Sequence, residues 1–222
     1  MENNYKLLLI VIFLLGVSHP AYAASTGKLM DGYNVSTETQ SLKNGATIYY
    51  NLCRLCHSLK YIKYQHFLEV GFTKTEVNEL RGTQSLATPI MSTADDTVAN
   101  QMFGMVPPDL SVMAKARKNG PDYIYSLMLS YIEKENGGYD NALFHGIKMP
   151  DVFAISIAQN DSEKSALKSK AADVTSFLTW ASDPHAMERK QLGIYVIIYL
   201  IVLSALFYLI MRRVWARLGD NK

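Results

Sequence analysis

Apolar residues recur at three- and four-residue steps in several segments of the chain, which is the spacing of an amphipathic helix. The alternation of apolar and polar residues that is typical of strands is sparse. Residues 41–59 show the helical spacing and include the first cysteine, so we expect Cys53 to lie on a helix. The apolar positions of this segment are Ile48, Leu52, Leu55 and Leu59.

Three later segments also predict helices. Residues 109–118 follow two prolines, and either Asp109 or Ser111 could cap their first turn. Residues 121–132 begin with a proline, and residues 163–184 end at one. The predicted apolar face of the second segment is Tyr123, Leu127 and Tyr131. That of the third is Leu167, Val174, Leu178 and Ala181.

Two stretches between these helices predict loops. Residues 81–108 are rich in Thr, Ser and Pro, and residues 133–153 contain several turn-forming residues. The predicted fold is therefore mainly α with long loops. Because such a domain fits poorly with a hydrophobic core of its own, we expect another group to fill its middle.

The amino terminus predicts a signal peptide, residues 1–23. Lys6 precedes an apolar run over residues 7–17, and the sequence AYA at residues 21–23 is a typical cleavage site. The run is short for a membrane span of about 20 residues, and an uncleaved anchor is the alternative. We expect an exported mature chain that starts near Ala24.

A second apolar run lies near the carboxyl terminus and predicts one transmembrane helix, residues 191–211. Residues 192–211 carry no charge, and twenty helical residues span about 30 Å, the thickness of a bilayer's hydrocarbon core. A buried core helix is the alternative. It would need polar positions to face water, and this run offers Ser204 and three tyrosines.

The distribution of charge separates the domain from the tail. Residues 24–190 contain 17 Lys and Arg against 18 Asp and Glu, whereas residues 212–222 carry a net charge of +3. Basic residues beside a span favour the cytoplasmic side. The charge distribution therefore gives no indication of a nucleic-acid-binding surface. It predicts an exported domain over residues 24–190, the span, and a cytoplasmic tail.

Cys53 and Cys56 are the two cysteines of the chain. A disulfide between them would close a very small loop and constrain little of the unfolded chain. A thiol oxidoreductase uses the same spacing, but usually within a βαβ pattern that this sequence lacks. A zinc site would need further ligands, and His66 and His145 lack the paired spacing of recognisable zinc sites.

His57 directly follows Cys56 and completes C-x-x-C-H, the attachment signature of c-type haem. Cysteines three apart on a helical turn face one side, at a separation that suits the two vinyl groups of the porphyrin. We therefore predict one covalently bound haem c, with thioethers to Cys53 and Cys56. His57 is the predicted proximal iron ligand.

The distal ligand remains open from spacing alone. A methionine opposite the histidine gives a six-coordinate iron suited to electron transfer. Met113 and Met128 lie in helical patterns and are predicted core residues. The loop candidates are Met102, Met105 and Met149. Met149 is followed by a proline, which favours an extended backbone, and His145 is a rival ligand nearby.

Longer motifs resemble the cytochrome c1 family, the membrane-anchored haem subunits of ubiquinol:cytochrome c oxidoreductase (bc1) complexes. Besides LCRLCHSLKYIKY, the similar segments are GMVPPDLSVMAKARKNGPDYIYSLMLSY, NALFHGIKMP and DVTSFLTWASDPHAMERKQLG. The resemblance implies that Met149 is the distal ligand. It also implies that Pro107 and Pro108 pack along the haem edge, and that Arg117 and Tyr123 lie near a haem propionate.

The resemblance further implies function and place. We expect an electron carrier without catalytic side chains that accepts single electrons from the Rieske iron-sulfur protein and passes them to cytochrome c. Cytochrome b is the other expected partner. The haem domain would lie in the periplasm, anchored in the bacterial inner membrane. The alternatives are a cytochrome feeding a terminal oxidase, a membrane-tethered thiol oxidoreductase and a zinc-stabilised binding module.

Acidic residues offer a further expectation about partners. Two groups could steer a basic partner by long-range attraction. They are the pair Asp95 and Asp96 and the group Glu133, Glu135 and Asp140. An ordinary solvated surface is the alternative for either group.

Overall fold

The structure is a computed structural model that describes residues 29–30 and 33–219. The predicted signal peptide lies outside the described residues. The chain divides into two compact units, the first ending at Ser182 and the second beginning at Asp183.

The described part of the first unit is mainly helical and contains two small sheets. Its helices are α1 Thr39–Asn51, α2 Lys74–Arg81, α3 Asp96–Phe103, α4 Met113–Ala116, α5 Gly120–Leu129 and α6 Asp161–Ala181. Its strands are β1 Leu59–Lys63, β2 Pro89–Ile90, β3 Tyr131–Glu133 and β4 Tyr139–Asn141. Three 3-10 helices cover Cys53–Leu55, Tyr64–Val70 and Ile155–Ile157.

Helices α1 and α6 pack together at the centre of this unit. α1 buries Leu42, Ala46 and Tyr49 at helical spacing. Gly45 permits the close approach, because a Cβ atom there would lie 2.1 Å from the carbonyl oxygen of Asp173 on α6. The predicted face of α6 is confirmed: Val174, Leu178 and Ala181 are buried, and Leu167 packs against the core.

The first unit has a hydrophobic core of its own, so the expectation that it lacks one is wrong. Tyr49, Phe67 and Phe177 are fully buried. The centroid of the Phe177 ring lies 5.8 Å from that of Tyr49 and 6.1 Å from that of Phe67. Cys53 is a member of the same cluster. Burial of these large aromatic side chains supplies much of the apolar area that stabilises the unit.

The predicted helix over residues 41–59 is wrong at its end. α1 stops at Asn51, and Cys53 lies in the 3-10 turn that follows. Leu52 and Leu55, predicted to be on the apolar face, are exposed, and Leu59 begins β1 instead. Tertiary packing of the earlier Leu42 face, rather than the apolar spacing near the cysteines, fixes the helix.

Other helices also differ from the sequence prediction. α4 covers only Met113–Ala116 of the predicted helix over residues 109–118. α5 buries Ile124 and Met128, whereas Tyr123 is half-buried and Tyr131 lies on β3. α3 lies within the predicted loop of residues 81–108. Its apolar spacing was too weak to predict, because Ala99 is its one buried residue.

The two sheets are short antiparallel pairs. β1 pairs with β2 through Leu59 and Ile90, and β3 pairs with β4 through Tyr131 and Asn141. The β3–β4 hairpin occupies part of the predicted loop over residues 133–153. The predicted mainly α fold with long loops is confirmed, since the remaining segments between helices are irregular.

The second unit is dominated by one helix, α7 Ala186–Gly219. From Ala186 to Arg217 it is long and apolar enough to cross a membrane. The helix extends beyond the predicted span of residues 191–211 at both ends. One apolar carboxy-terminal helix fits a single membrane anchor.

Candidate functional site

The C-x-x-C-H sequence forms one tight turn directly after α1. The backbone N–H groups of Cys56 and His57 both donate to the carbonyl of Cys53, at 3.1 Å and 2.8 Å. Both cysteines carry free thiols, Cys53 buried and Cys56 half-buried. The turn therefore holds two thiols and one imidazole within five consecutive residues.

The environment of Cys53 does not suit a thiol oxidoreductase. Burial raises the pKa of its thiol to about 12, with a smaller contribution from Cys56. Redox-active cysteines have lowered pKa values in electropositive and partly exposed surroundings. The described part of the chain also contains no cluster of three or more His, Cys, Asp or Glu side chains for a metal ion. The burial of Cys53 therefore argues against the thiol oxidoreductase alternative.

The ring of His57 contacts the carbonyl oxygen of Pro108, 2.7 Å from its Nδ1 atom. A carbonyl can only accept, so Nδ1 carries the proton and donates. Burial lowers the pKa of this imidazole despite opposing effects of the Pro108 carbonyl and Asp109. The neutral ring thus keeps the lone pair of Nε2, the atom that a metal ion would bind.

A series of hydrogen bonds fixes the segment that supplies this carbonyl. Leu110 donates its N–H to the carbonyl of Ser58 at 2.9 Å. Lys60 donates its N–H to Asp109 Oδ2 at 2.9 Å. Tyr61 donates its N–H to the Ser111 hydroxyl at 3.1 Å. The PPDLS sequence therefore lies against residues 57–61, so the predicted caps Asp109 and Ser111 serve this contact rather than a long helix.

Tyr49 holds the His57 residue from the opposite end of the turn. Its hydroxyl donates to the carbonyl oxygen of His57 at 2.8 Å. The Tyr49 side chain is fully buried on α1. Tyr49 is not among the site residues that the sequence predicts, although its position four residues before Cys53 places it about one helical turn away.

Met149 differs from the other two loop methionines in its packing. It is half-buried against the hydrophobic core, whereas Met102 and Met105 are 69% and 48% exposed. The Tyr131 hydroxyl donates to the Met149 carbonyl at 3.0 Å. His145, the rival candidate, is exposed and its ring lies 3.5 Å from the carboxylate of Asp140.

Polar contacts hold the loop that leads to Met149. Asp140 Oδ1 accepts the N–H of Gly146 at 2.9 Å, and Gly146 has a left-handed φ of 74°. Asn141 is fully buried and accepts the N–H groups of Leu143 and Phe144 through its Oδ1 atom. These contacts define the path of the loop without regular secondary structure.

The core prediction is confirmed for Met128, whereas Met113 is half-buried at the edge of the core. Met128 is buried, and Met113 packs against the same core cluster.

Asp95 has a structural role, since its carboxylate accepts the N–H of Thr97 at 2.7 Å and caps α3. This hydrogen bond lowers the pKa of Asp95.

Arg117 carries a buried polar atom without a protein partner. Its Nε atom is buried and makes no hydrogen bond, although the guanidinium lies 5.6 Å from the centre of the Tyr123 ring. A buried donor without a partner costs roughly 1–3 kcal/mol. An anionic group such as a haem propionate fits this donor, so the residues present agree with the expected cofactor.

The predicted site residues thus form three local groups. Cys53, Cys56 and His57 share one turn, and Pro108 contacts its histidine. Arg117 lies over Tyr123, and Met149 is held by Tyr131.

Comparison with known proteins places the chain in a family. The model of the Cytochrome C1 family matches residues 29–218. The chain belongs to the cytochrome c1 family. Family membership implies a haem c cofactor and an electron-transfer role for this subunit.

Individual relatives agree with the family match. The chain is 28% identical to cytochrome c1 of Allochromatium vinosum, over 94% of this chain and 97% of the relative. It is 28% identical to cytochrome c1 of Rhodospirillum rubrum, over 78% and 80% of the two chains. It is 32% identical to the cytochrome c1 heme protein of Euglena gracilis, over 74% and 79%.

Proposed function

We propose that this chain is the haem c subunit of a bc1 complex. It would relay single electrons from the Rieske iron-sulfur protein to cytochrome c, with cytochrome b as its membrane partner. The observation that carries the proposal is the 2.7 Å contact between His57 Nδ1 and the Pro108 carbonyl, which leaves Nε2 available within a C-x-x-C-H turn. Bound haem supplies one-electron exchange between ferric and ferrous iron.

Each site residue has a defined role in this proposal. The thiols of Cys53 and Cys56 would hold one haem c through thioethers, and His57 Nε2 and the Met149 sulfur would be the iron ligands. Pro108 orients the imidazole through its carbonyl and would lie at the haem edge. Hydrogen bonding of the ring nitrogen opposite the metal fixes the tautomer and raises ligand basicity.

Arg117 and Tyr123 bind a haem propionate in this proposal. The support is the buried Arg117 Nε atom without a protein partner and its position over the Tyr123 ring. A charge-assisted bond from guanidinium to carboxylate would satisfy that donor. Electron relay needs no general acid, base or nucleophile, and the proposal gives no side chain such a role.

The topology follows from the anchor and the charges beside it. Helix α7 crosses the bacterial inner membrane once, with the haem domain in the periplasm after removal of residues 1–23. The basic residues Arg212, Arg213 and Arg217 would lie on the cytoplasmic side. A reporter that is active only in the cytoplasm should therefore be active when fused after residue 222. A reporter that is active only in the periplasm should be inactive there.

Covalent attachment can be tested on the full chain expressed with a c-type haem maturation system. The denatured, acid-extracted polypeptide should keep a haem spectrum and peroxidase staining. The double variant Cys53→Ala with Cys56→Ala should lose both. A colourless wild-type polypeptide with free thiols would overturn the proposal.

The distal ligand is tested with methionine variants. Met149→Leu should convert the low-spin iron into a form that binds carbon monoxide and should lower the reduction potential, because methionine ligation raises it. Met102→Leu removes an exposed methionine and is the matched control. A Met149→Leu protein with the wild-type spectrum and potential would exclude Met149.

Co-purification from native membranes separates the bc1 role from the alternative. A tagged full chain should bring cytochrome b and the Rieske protein with it. Recovery with terminal oxidase subunits instead would favour the alternative of a cytochrome that feeds an oxidase.

A further inference from the structure

We propose that Tyr49 and Tyr131 are positioning residues, each holding the backbone carbonyl of one iron ligand. This inference rests on the proposed function, since it takes His57 and Met149 as the ligands. It gives a structural role to the hydroxyl groups of two buried tyrosines, which the proposed function leaves without one.

Tyr49 acts on His57 from within the core. Its side chain has no exposed surface, and its ring packs against Phe177 at a centroid distance of 5.8 Å. Its hydroxyl donates to the His57 carbonyl at 2.8 Å. A tyrosine hydroxyl is protonated at neutral pH, so it remains a donor.

Tyr131 makes the same type of contact with Met149. Its side chain is 4% exposed, and its hydroxyl donates to the Met149 carbonyl at 3.0 Å. The ring packs edge-on against Tyr139 at 5.8 Å, on the neighbouring strand of the hairpin.

The two contacts add to the other restraints on the ligand residues. The Pro108 carbonyl orients the His57 ring, the His57 N–H donates to the Cys53 carbonyl, and Tyr49 adds a hydrogen bond to the His57 carbonyl. Met149 lies in an irregular loop, and Pro150 after it has no N–H for a backbone hydrogen bond. A hydrogen bond from the buried Tyr131 on β3 therefore ties this loop to the β3–β4 hairpin at the ligand residue itself.

Tyr50 provides a matched control. It neighbours Tyr49 on α1, and its hydroxyl donates to the backbone carbonyl of Leu80 at 2.5 Å. Replacing either residue by phenylalanine removes one oxygen atom and one such bond. Only the Tyr49 bond ends on a proposed iron ligand.

The experiment compares Tyr49→Phe, Tyr131→Phe and Tyr50→Phe in the full haem-loaded chain. For Tyr131→Phe we expect the equilibrium for carbon monoxide binding to the ferrous protein to rise roughly two- to tenfold, the worth of one hydrogen bond. For Tyr49→Phe we expect the high-spin fraction of the ferric protein to rise by a similar factor. Tyr50→Phe should leave the carbon monoxide equilibrium and the high-spin fraction unchanged. Its melting temperature should fall, as should those of the other two variants.

Site-specific difluorotyrosine gives a second variant that keeps every contact. Its more acidic hydroxyl donates a stronger hydrogen bond, so at position 131 carbon monoxide binding should fall below the wild-type level. This variant decides the question even if a phenylalanine variant fails to fold.

The outcomes separate this inference from the proposed function. If Met149→Leu binds carbon monoxide but Tyr131→Phe and Tyr49→Phe match Tyr50→Phe, the positioning inference is wrong and the ligand proposal stands. If Met149→Leu matches the wild type, the ligand proposal fails and the Tyr131 part of the inference fails with it.

Discussion

The Oδ2 atom of Asp109 accepts the backbone N–H of Lys60 at 2.9 Å, and its Oδ1 atom accepts the N–H of Ser111 at 2.8 Å. One carboxylate thus joins β1 to the segment that carries the Pro108 carbonyl. We infer that Asp109 acts on the imidazole of His57 indirectly, by fixing the position of that carbonyl.

Asp109→Ala should therefore weaken both stability and the histidine contact. Loss of two bonds to a charged acceptor should lower the free energy of unfolding by about 2 kcal/mol. The high-spin fraction of the ferric protein should rise, as measured by absorption spectroscopy. Asp95→Ala removes a helix cap and costs about 1 kcal/mol, but it should leave the spectrum unchanged. Identical spectra for the two variants would contradict the indirect role of Asp109.

Arg117 gives a test that compares the haem-free and haem-loaded chains. Because its buried Nε has no protein partner, Arg117→Leu should leave the stability of the haem-free chain nearly unchanged or raise it. In the haem-loaded chain the same change should cost roughly 1–3 kcal/mol, since a propionate would lose its partner. Thermal unfolding of both forms measures the difference. Arg117→Lys keeps the charge and should recover part of the stability that Arg117→Leu loses in the haem-loaded chain. An equal effect of Arg117→Leu on both forms would exclude a propionate contact.

Glu76 gives a prediction about acid stability away from the cysteines. Its carboxylate accepts hydrogen bonds from Lys43 and from Thr73 at the start of α2, which lower its pKa from 4.5 to about 2. A lowered pKa stabilises the fold above the unfolded value, and that contribution disappears as the pH falls from about 4.5 towards 2. Denaturant unfolding should show Glu76→Gln less stable than wild type at pH 7, with the difference shrinking over this window.

The exposed Glu79 on the same helix is the control for this measurement. Glu79→Gln removes the same charge without these contacts. It should leave the slope of stability against pH nearly unchanged. A pH dependence equal to that of Glu76→Gln would show that net charge, rather than the contacts of Glu76, is responsible.

Gly45 tests the packing of α1 against α6. An alanine Cβ would lie 2.1 Å from the Asp173 carbonyl oxygen, which is backbone and cannot rotate away. Gly45→Ala should destabilise the haem domain by roughly 3 kcal/mol, although alanine favours a helix by about 1 kcal/mol. Thr47→Ala on the exposed side of α1 should change stability by about 0.5 kcal/mol or less. Chemical denaturation measures both, and a stabilised Gly45→Ala protein would contradict the close helix contact.

The predictable parts of this protein depend on local sequence. The helical spacing over residues 163–184 predicted α6, and a long uncharged run predicted the helix that fits a membrane anchor. The C-x-x-C-H sequence identified the candidate haem turn, because thioether attachment needs those residues at that spacing. The assignment of Met149, by contrast, came from resemblance to a family.

The misses have a common physical reason. The buried face of α1 runs from Leu42 to Tyr49, and the helix ends at Asn51. The apolar Leu52 and Leu55 that follow are exposed, so no core packing extends the helix to Cys53. α3 depends on a cap at Asp95 rather than on an apolar stripe. Spacing along the chain cannot distinguish an apolar residue that finds a partner from one that does not.

The sequence by itself determined the helical class, the apolar carboxy-terminal helix and the candidate ligands, because each depends on residues close together in the chain. Tertiary structure alone decided which distant groups contact those ligands. The Pro108 carbonyl reaches His57 across 51 residues, and Tyr131 reaches Met149 across 18. Such contacts depend on how loops pack against the core, and no local pattern of side chains specifies them.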